Sequence, residues 1–488
     1  MTRVSLEYDE PKMLIGGELV GSVSGETFTT ENPATGEPIT EIPRANAEDV
    51  DRAVEAAMEG FEVWSTEYSA RDRAKKLNEV ADLLRANHER LGAIDAADAG
   101  NPVSAMQTDP FIAAEYTDTM ASFALENKGE TPPVSPDTLN YTLRQPYGVV
   151  ARIIPFNHPV LFAGSKPSAP LVAGNSVVLK PPEQASISAL ELGRMINDAD
   201  ILPPGVLNVV TGFGDEVGSP LVTHDDVHKI GFTGSVPTGS IIQKQAADKI
   251  ADVSLELGGK NPLLAYPDAD VEEVVEGALE GMNLGWQGES CGSISRLFLH
   301  ESYYEEAVEM LAAKVSEVEL GDPLDDETEM GAVTSQDQYD KSMKYIELAQ
   351  EEGATLHAGG GHADGEALAD GYFVEPTVFG DVTQDMRVAN EEVFGPVIFA
   401  MKWSDEEQLL ADANAVDYGL TGSIYTNDLA TAHEAAERLE AGYIWINDTA
   451  SHHLGAPFGG WKQSGVGREE ALDEVLAYSQ VKNVNVSL

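Results

Sequence analysis

The sequence predicts an α/β protein: two α/β units joined to an extending pair of β-strands. Three observations point there. Short apolar runs alternate with helical stretches from Gly148 onward, and a second strand–helix series begins after Gly259. The chain of 488 residues is also too long for a single core.

The elements follow in order. From Asn46 to Asn101, "AEDVDRAVEAAMEGFEVW" and "RDRAKKLNEVADLLRANHERLGAIDAAD" place apolar residues three and four apart, the helical period, and Gly100 supplies a stop. The prolines of "GETPPVSPDTLNYTLRQPYGVV" break that rhythm, and "LNYTLRQ" within it alternates as an exposed strand does. "GVVARIIP", "NSVVLKP", "GVLNVVTG", "VHKIGFTGS" and "DVSLELGG" read as strands, with helices such as "SISALELGRMINDA" between them. Helices of that length between strands imply crossover connections and a mostly parallel sheet. The second series is "PLLAYP", "SRLFLHES", "TVFGDV", "PVIFAMKW", "LTGSIYT" and "YIWIND". The C-terminal "YSQVKNVNVSL" is one more alternating strand with nothing after it to pair, and so long an edge calls for a partner.

With 42% hydrophobic and 23% charged residues the chain has the composition of globular domains, not of a disordered polymer. A single cysteine excludes an intramolecular disulfide framework and fits a reducing compartment. The N-terminal "MTRVSLEYDEPKMLIGGELV" has no apolar core of signal-peptide length and no later run is long enough to span a bilayer, so a soluble cytoplasmic protein is expected. Asp plus Glu number 83 against 30 Lys plus Arg, a formal net charge of −53, which speaks against nucleic acid and anionic membranes as partners. The charge is spread along the chain, as in "VEEVVEGALEG" and "DPLDDETEM", and not gathered into a tail. It reads as a solvated, salt-adapted surface suited to a high-salt cytoplasm.

Four stretches can carry chemistry. In "GWQGESCGSISR" the lone Cys291 lies among glycines and small polar residues that bend the chain and expose the sulfur. A nucleophilic thiol needs that access, and N–H groups that favour thiolate; the plainer reading is a small buried hydrophobe. In "LELGGKNP", Glu256 stands between two leucines at the end of a strand, where it is either a general base or a solvent-facing carboxylate. In "VLKPPEQASISAL", Lys180 and Glu183 sit three apart beyond a parallel strand, where α/β folds bind ligands; a surface ion pair explains this stretch equally well. Glu183 there would bind ribose hydroxyls and repel a 2′-phosphate. In "IGFTGSVPTG" a strand ends at Thr-Gly-Ser before a helix whose free N–H groups, around Gly234 and Ser235, can receive a phosphate. "TGFGDEVG", with Gly212, Gly214 and Gly218, departs by one residue from the dinucleotide fingerprint.

Taken together and in order, these stretches resemble the aldehyde dehydrogenase superfamily, from about Asn32 to nearly the C-terminus. "PFNHP" (Pro155 to Pro159) is similar to the family's Pro-Trp-Asn-Phe-Pro segment, departing from it at Phe156 and His158. "KPPE" resembles the adenosine-ribose motif, "GFTGS" the pyrophosphate turn, "LELGGK" the general-base motif and "GESCGSISR" the nucleophile motif. "EEVFGP" and "PFGGWKQSGVGRE" complete the set.

The resemblance implies roles. Cys291 is similar to the nucleophile that attacks an aldehyde, Asn157 with the Cys291 N–H to the oxyanion hole, and Glu256 to the base that activates water on the thioester. Lys180 and Glu183 correspond to the adenosine-ribose pair, favouring NAD over NADP. Glu392 and Phe394 correspond to the nicotinamide-ribose contacts. Ile154, Pro155, Gly214, Gly234, Ser235 and Leu257 complete the expected cofactor surface. The expected substrate tunnel is lined by His158, Leu161 and Phe162, by Trp286, Ser290 and Gly292, and by His452 and His453. The histidines either shape a polar mouth or bind a polar or carboxylate-bearing semialdehyde, and no metal is expected because they lack partners at ligand spacing.

The family's fold implies a Rossmann-like NAD-binding domain of residues 1–125 and 147–258, a catalytic domain of 259–456, and bridging strands in 126–146 and 470–488. It also implies a homodimer or homotetramer. Within the family, acylating members often lack the carboxylate of Glu256, and a non-catalytic protein would lose Cys291, Glu256 or Asn157. All three are present, so hydrolytic oxidation of an aldehyde is expected ahead of transfer to CoA.

Overall fold

The computed structural model describes residues 6–487, and its two large sheets follow from the alternating apolar runs. In the first, Val149–Ile153 lies between Ser176–Lys180 and Val227–Thr233; Leu207–Val209 and Asp252–Glu256 extend it outward, and all these pairings are parallel. Antiparallel strands finish both edges. Met13–Ile15 and Glu18–Val20 close one, and the short Gly465–Val466 closes the other against Leu255 and Glu256. The register sets Ile153 opposite both Lys180 and Phe232, and Glu256 opposite Thr233, so the parallel strands end level with one another. Loops leaving that edge are where an α/β sheet binds its ligands.

The second sheet has seven strands in the order Thr355–Ala358, Thr377–Gly380, Val397–Trp403, Ile294–His300, Asn261–Ala265, Thr421–Tyr425 and Tyr443–Ile446. Only the first of these pairs antiparallel. Both sheets are buried on both faces. Val150 packs into one apolar cluster while Val149 and Ala151 pack into another, and Leu263 and Leu264 divide in the same way.

The predicted helical region forms Ala47–Thr66, Ala70–Ala86 and His88–Ala99. Capping boxes start the first two, Asn46 with Asp49 and Ser69 with Asp72, and Gly100 ends the third at φ 85°. The short strands Thr27–Asn32 and Glu37–Pro43 form a hairpin that periodicity does not announce.

The C-terminal strand does not end unpaired. Ser479–Ser487 pairs antiparallel with Thr138–Pro146 along its whole length, Ser479 opposite Pro146 and Ser487 opposite Thr138. The exposed strand read from "LNYTLRQ" is thus its partner, supplied by the same chain. Leu139, Leu143, Val481 and Val486 remain exposed on this ribbon. Among the described residues no helix is long and apolar enough to cross a membrane.

Candidate active site

Cys291 sits in a loop bent by three residues in the left-handed region, Asn283 (φ 53°), Gln287 (φ 50°) and Gly288 (φ 70°). Asn261 pins that loop to the second sheet. Its Nδ2 donates to the Cys291 carbonyl at 2.8 Å and to the Ser293 carbonyl at 2.9 Å, while its Oδ1 accepts from the Thr421 N–H at 3.1 Å. Gly259 lies so near that a Cβ there would come within 2.8 Å of the Cys291 carbonyl oxygen. Cys291 is half-buried, and its surroundings do not supply the stabilisation of thiolate that a nucleophile needs. Burial, followed by the carboxylates of Glu256 and Glu392, pushes the thiol up to about 12.

Glu256 ends the strand Asp252–Glu256 and is 6% exposed. Neither carboxylate oxygen has a hydrogen-bond partner, and burial, then the charge of Glu469, raises its pKa well above the usual carboxylate range. Behind it is a buried ionic cluster. Glu469 accepts from Lys166 Nζ at 2.6 Å and from both terminal nitrogens of Arg152 at 3.1 Å. Burial would raise Glu469, but the two cations hold it down to about 2.

Asn157 follows the strand Val149–Ile153 and is 4% exposed. Asn101 Nδ2 holds its carbonyl at 2.9 Å, and among the described residues its side-chain amide makes no hydrogen bond. The next residue, His158, has its Nδ1 3.0 Å from Asp109 Oδ2, and its ring lies 4.9 Å from that of Trp286 and 5.6 Å from that of Phe162. The short helix Pro159–Ser165 then carries Leu161 and Phe162, its Val160 N–H donating to Asp95 at 2.8 Å. The Asn157 segment and the Cys291 loop therefore form facing walls joined by the His158–Trp286 contact.

The remaining expected residues divide. Ser290 lines a narrow cleft with Gly259, Glu392 and Phe394, and Gly292 gives its N–H to Ser290 Oγ at 3.3 Å. His452 pairs with Glu470 at 3.1 Å and packs on Tyr443 and Phe458. His453 is exposed, and its side chain joins none of these contacts.

On the cofactor side, the Ile154 N–H donates to the Lys180 carbonyl at 3.1 Å and Pro155 follows it half-buried. Lys180 is buried, with Nζ 3.2 Å from Glu183 and 3.0 Å from the Pro181 carbonyl. Gly234 does not offer a free N–H, since it donates to the Glu256 carbonyl at 3.0 Å. Ser235 caps the helix Val236–Ala247, Leu257 is buried against Gly239, and Gly214 opens onto space where a Cβ would meet nothing within 4 Å. Glu392 accepts the Gly259 N–H at 2.9 Å, and Phe394 (φ 57°) stands edge-on to Phe156 at 5.9 Å.

Sequence reasoning missed the supports: Asp109 behind His158, Asn101 behind Asn157, and Lys166 with Arg152 around Glu469. No local motif marks them. Asn261 lay inside the quoted "LELGGKNP" and could have been singled out.

The family model for the aldehyde dehydrogenase family matches residues 20–484. The chain belongs to the aldehyde dehydrogenase family. It is 43% identical to aldehyde dehydrogenase tropH of Talaromyces stipitatus, over 94% of this chain and 90% of that one. It is 41% identical to hydroxyisobutyraldehyde dehydrogenase of Mycolicibacterium austroafricanum, over 98% and 94%. In three dimensions it matches the NAD⁺ complex of aldehyde dehydrogenase from Bacillus cereus with TM-score 0.96 and 40% identity, covering 100% of both chains. It also matches betaine aldehyde dehydrogenase of Staphylococcus aureus with NAD⁺, with TM-score 0.95 and 33% identity over 98% and 95%.

This aldehyde dehydrogenase oxidises an aldehyde with NAD as cofactor. Its residues fit the dinucleotide. Thr233 Oγ1 is buried without a partner at the turn into Gly234 and Ser235, and Gly214 leaves its surroundings clear. Lys180 ends level with Ile153 at the edge of the sheet, paired with Glu183 at 3.2 Å.

Proposed function

We propose that Cys291, Asn157 and Glu256 carry the oxidation to the free carboxylic acid. The Cys291 sulfur adds to the carbonyl carbon as its proton passes to Glu256. The Asn157 amide and the Cys291 N–H receive the developing alkoxide. Bound NAD would supply the hydride acceptor, and loss of hydride from the adduct would leave the acyl group as a thioester on Cys291. Glu256 releases the thiol proton to solvent, takes another from the water whose oxygen attacks the thioester, and returns it to the departing Cys291 sulfur as the acid leaves. The observation that carries this reading is the buried Glu256 carboxylate, both of its oxygens free of hydrogen bonds, beside a thiol pushed up to about 12. A thiol held so firmly in its protonated form needs a base, and Glu256 is one whose affinity for protons is raised.

Cys291→Ser is expected to lower NADH formation by roughly 1,000-fold or more while NAD still binds. Turnover near that of the unmodified enzyme would reject Cys291 as nucleophile. The released product should be the free acid, and acyl-CoA formed in its place when CoA is added would reject water as the acceptor.

The same reading takes residues 1–125 and 147–258 as the NAD-binding domain, 259–456 as the catalytic domain, and 126–146 with 470–488 as the bridging segments. Exposed Leu139, Leu143, Val481 and Val486 on the ribbon support association into a homodimer or homotetramer. The charge of −53 supports a cytoplasm of high salt.

A further inference from the structure

We propose that His158, oriented by Asp109, selects aldehydes that carry a hydroxyl group; the proposal rests on the reading that Cys291 and Asn157 hold the reacting carbonyl. His158 directly follows Asn157, and its ring meets Trp286 of the loop that carries Cys291. Three contacts fix that ring: the Asp109 carboxylate at 3.0 Å, the Trp286 ring at 4.9 Å and the Phe162 ring at 5.6 Å. Asp109 is fully buried, so it is a fixed support and not a solvated counterion.

A carboxylate only accepts hydrogen bonds, so Nδ1 carries the proton it shares with Asp109, and in the tautomer this selects Nε2 is the acceptor. Among the described residues Nε2 has no partner. The position is thus one hydrogen-bond acceptor set in a wall of Trp286 and Phe162. A hydroxyl group donates to it; a methyl group in the same place leaves it unpaired.

The charges of the site separate a hydroxyl from a carboxylate. Asp109, Glu256, Glu392 and Glu470 stand around it, while Lys166 is engaged by Glu469 and Lys180 by Glu183. A carboxylate-bearing aldehyde would meet these acids, and Arg468, a further cation near Glu256, is already engaged by the Gly460 and Gly467 carbonyls. A neutral hydroxyaldehyde meets no such repulsion.

The test uses matched pairs on the full-length enzyme with NAD: 3-hydroxypropanal against butanal, and 3-hydroxybenzaldehyde against benzaldehyde. In the unmodified enzyme kcat/KM should favour the hydroxyl member of at least one pair by about 10-fold or more. In His158→Phe that ratio should fall to within about 2-fold, and His158→Gln, which retains an acceptor oxygen, should recover part of it. Asp109→Ala should lower the same ratio, since Asp109 acts only by positioning His158. Each ratio is taken within one variant, so a general loss of activity or of folded protein cancels. Equal rates within both pairs in the unmodified enzyme would overturn the proposal. So would a preference that persists in His158→Phe, or succinic semialdehyde outpacing both hydroxyaldehydes. None of these results touches the nucleophile, which the Cys291→Ser measurement tests on every aldehyde alike.

Discussion

Gly459 presses against Glu256 so closely that a Cβ at Gly459 would lie 2.7 Å from Glu256 Oε1. The carboxylate is therefore held in place partly by the absence of a side chain. Its own oxygens make no hydrogen bond, so packing alone resists a push. Gly459 also has φ 154°, outside the range that side chains favour. Gly459→Ala should displace Glu256 and slow turnover by about 10-fold or more, with NAD affinity changed little. If thioester hydrolysis is the step that suffers, stopped-flow traces should show a burst of NADH before a slow steady state. Unaltered turnover would mean that the carboxylate does not need its present position.

The pH dependence of the reaction follows from the same carboxylate. Burial, then Glu469, raises the Glu256 pKa well above its ordinary value. Only its ionised form can take a proton, so activity is present above the raised pKa and is lost as pH falls through it. A plot of kcat/KM against pH should rise through an inflection above the usual carboxylate range. Glu256→Gln should remove this limb along with most of the activity. An inflection at the pKa of an exposed glutamate would show that burial does not govern the base.

Much of this was legible in the sequence, and the part that was not has a physical cause. Strands long enough to show apolar runs, such as Val227–Thr233 and Val397–Trp403, announce themselves, whereas the three-residue strands Met13–Ile15 and Glu18–Val20 carry no period to read. Cys291, Glu256 and Asn157 lie in motifs whose order is informative. Their environments are set by residues distant in sequence. Asp109 reaches His158 across 49 positions and Glu469 reaches Lys166 across 303, so neither contact leaves a local spacing. For the same reason the neighbours "GESCGS" leave the state of the thiol open: burial and the distant carboxylates of Glu256 and Glu392 push it up to about 12.

The ionic cluster behind the base should dominate the acid stability of the fold. Glu469 is held down to about 2 by Lys166 and Arg152 against the opposing effect of burial. A depressed folded-state pKa contributes stability above the unfolded value, and that stability is lost as pH falls from about 5 toward 2. Replacing the acid leaves both cations buried without their charge partner. Glu469→Gln is therefore expected to destabilise the protein by about 3–5 kcal/mol at neutral pH, measured by urea unfolding, and to flatten the acid limb. A variant as stable as the unmodified protein would mean that the cluster contributes little to folding.

The net charge of −53 makes a last prediction about salt. Self-repulsion among carboxylates such as exposed Glu272, Glu273 and Glu276 on the helix Val271–Gly281 favours any state that spreads the chain. The screening length shortens from about 10 Å at 0.1 M salt to about 3 Å at 1 M, so added salt removes repulsion between neighbouring surface acids. It weakens buried pairs such as Lys166–Glu469 much less, because solvent ions do not reach between them. Tm should therefore climb steeply as KCl is raised over that range, and climb equally with NaCl. Sucrose, which stabilises by exclusion from the surface but screens no charge, should not reproduce the steep low-salt part of the curve. A Tm indifferent to salt would show that the acidic surface exerts no net strain on the folded chain.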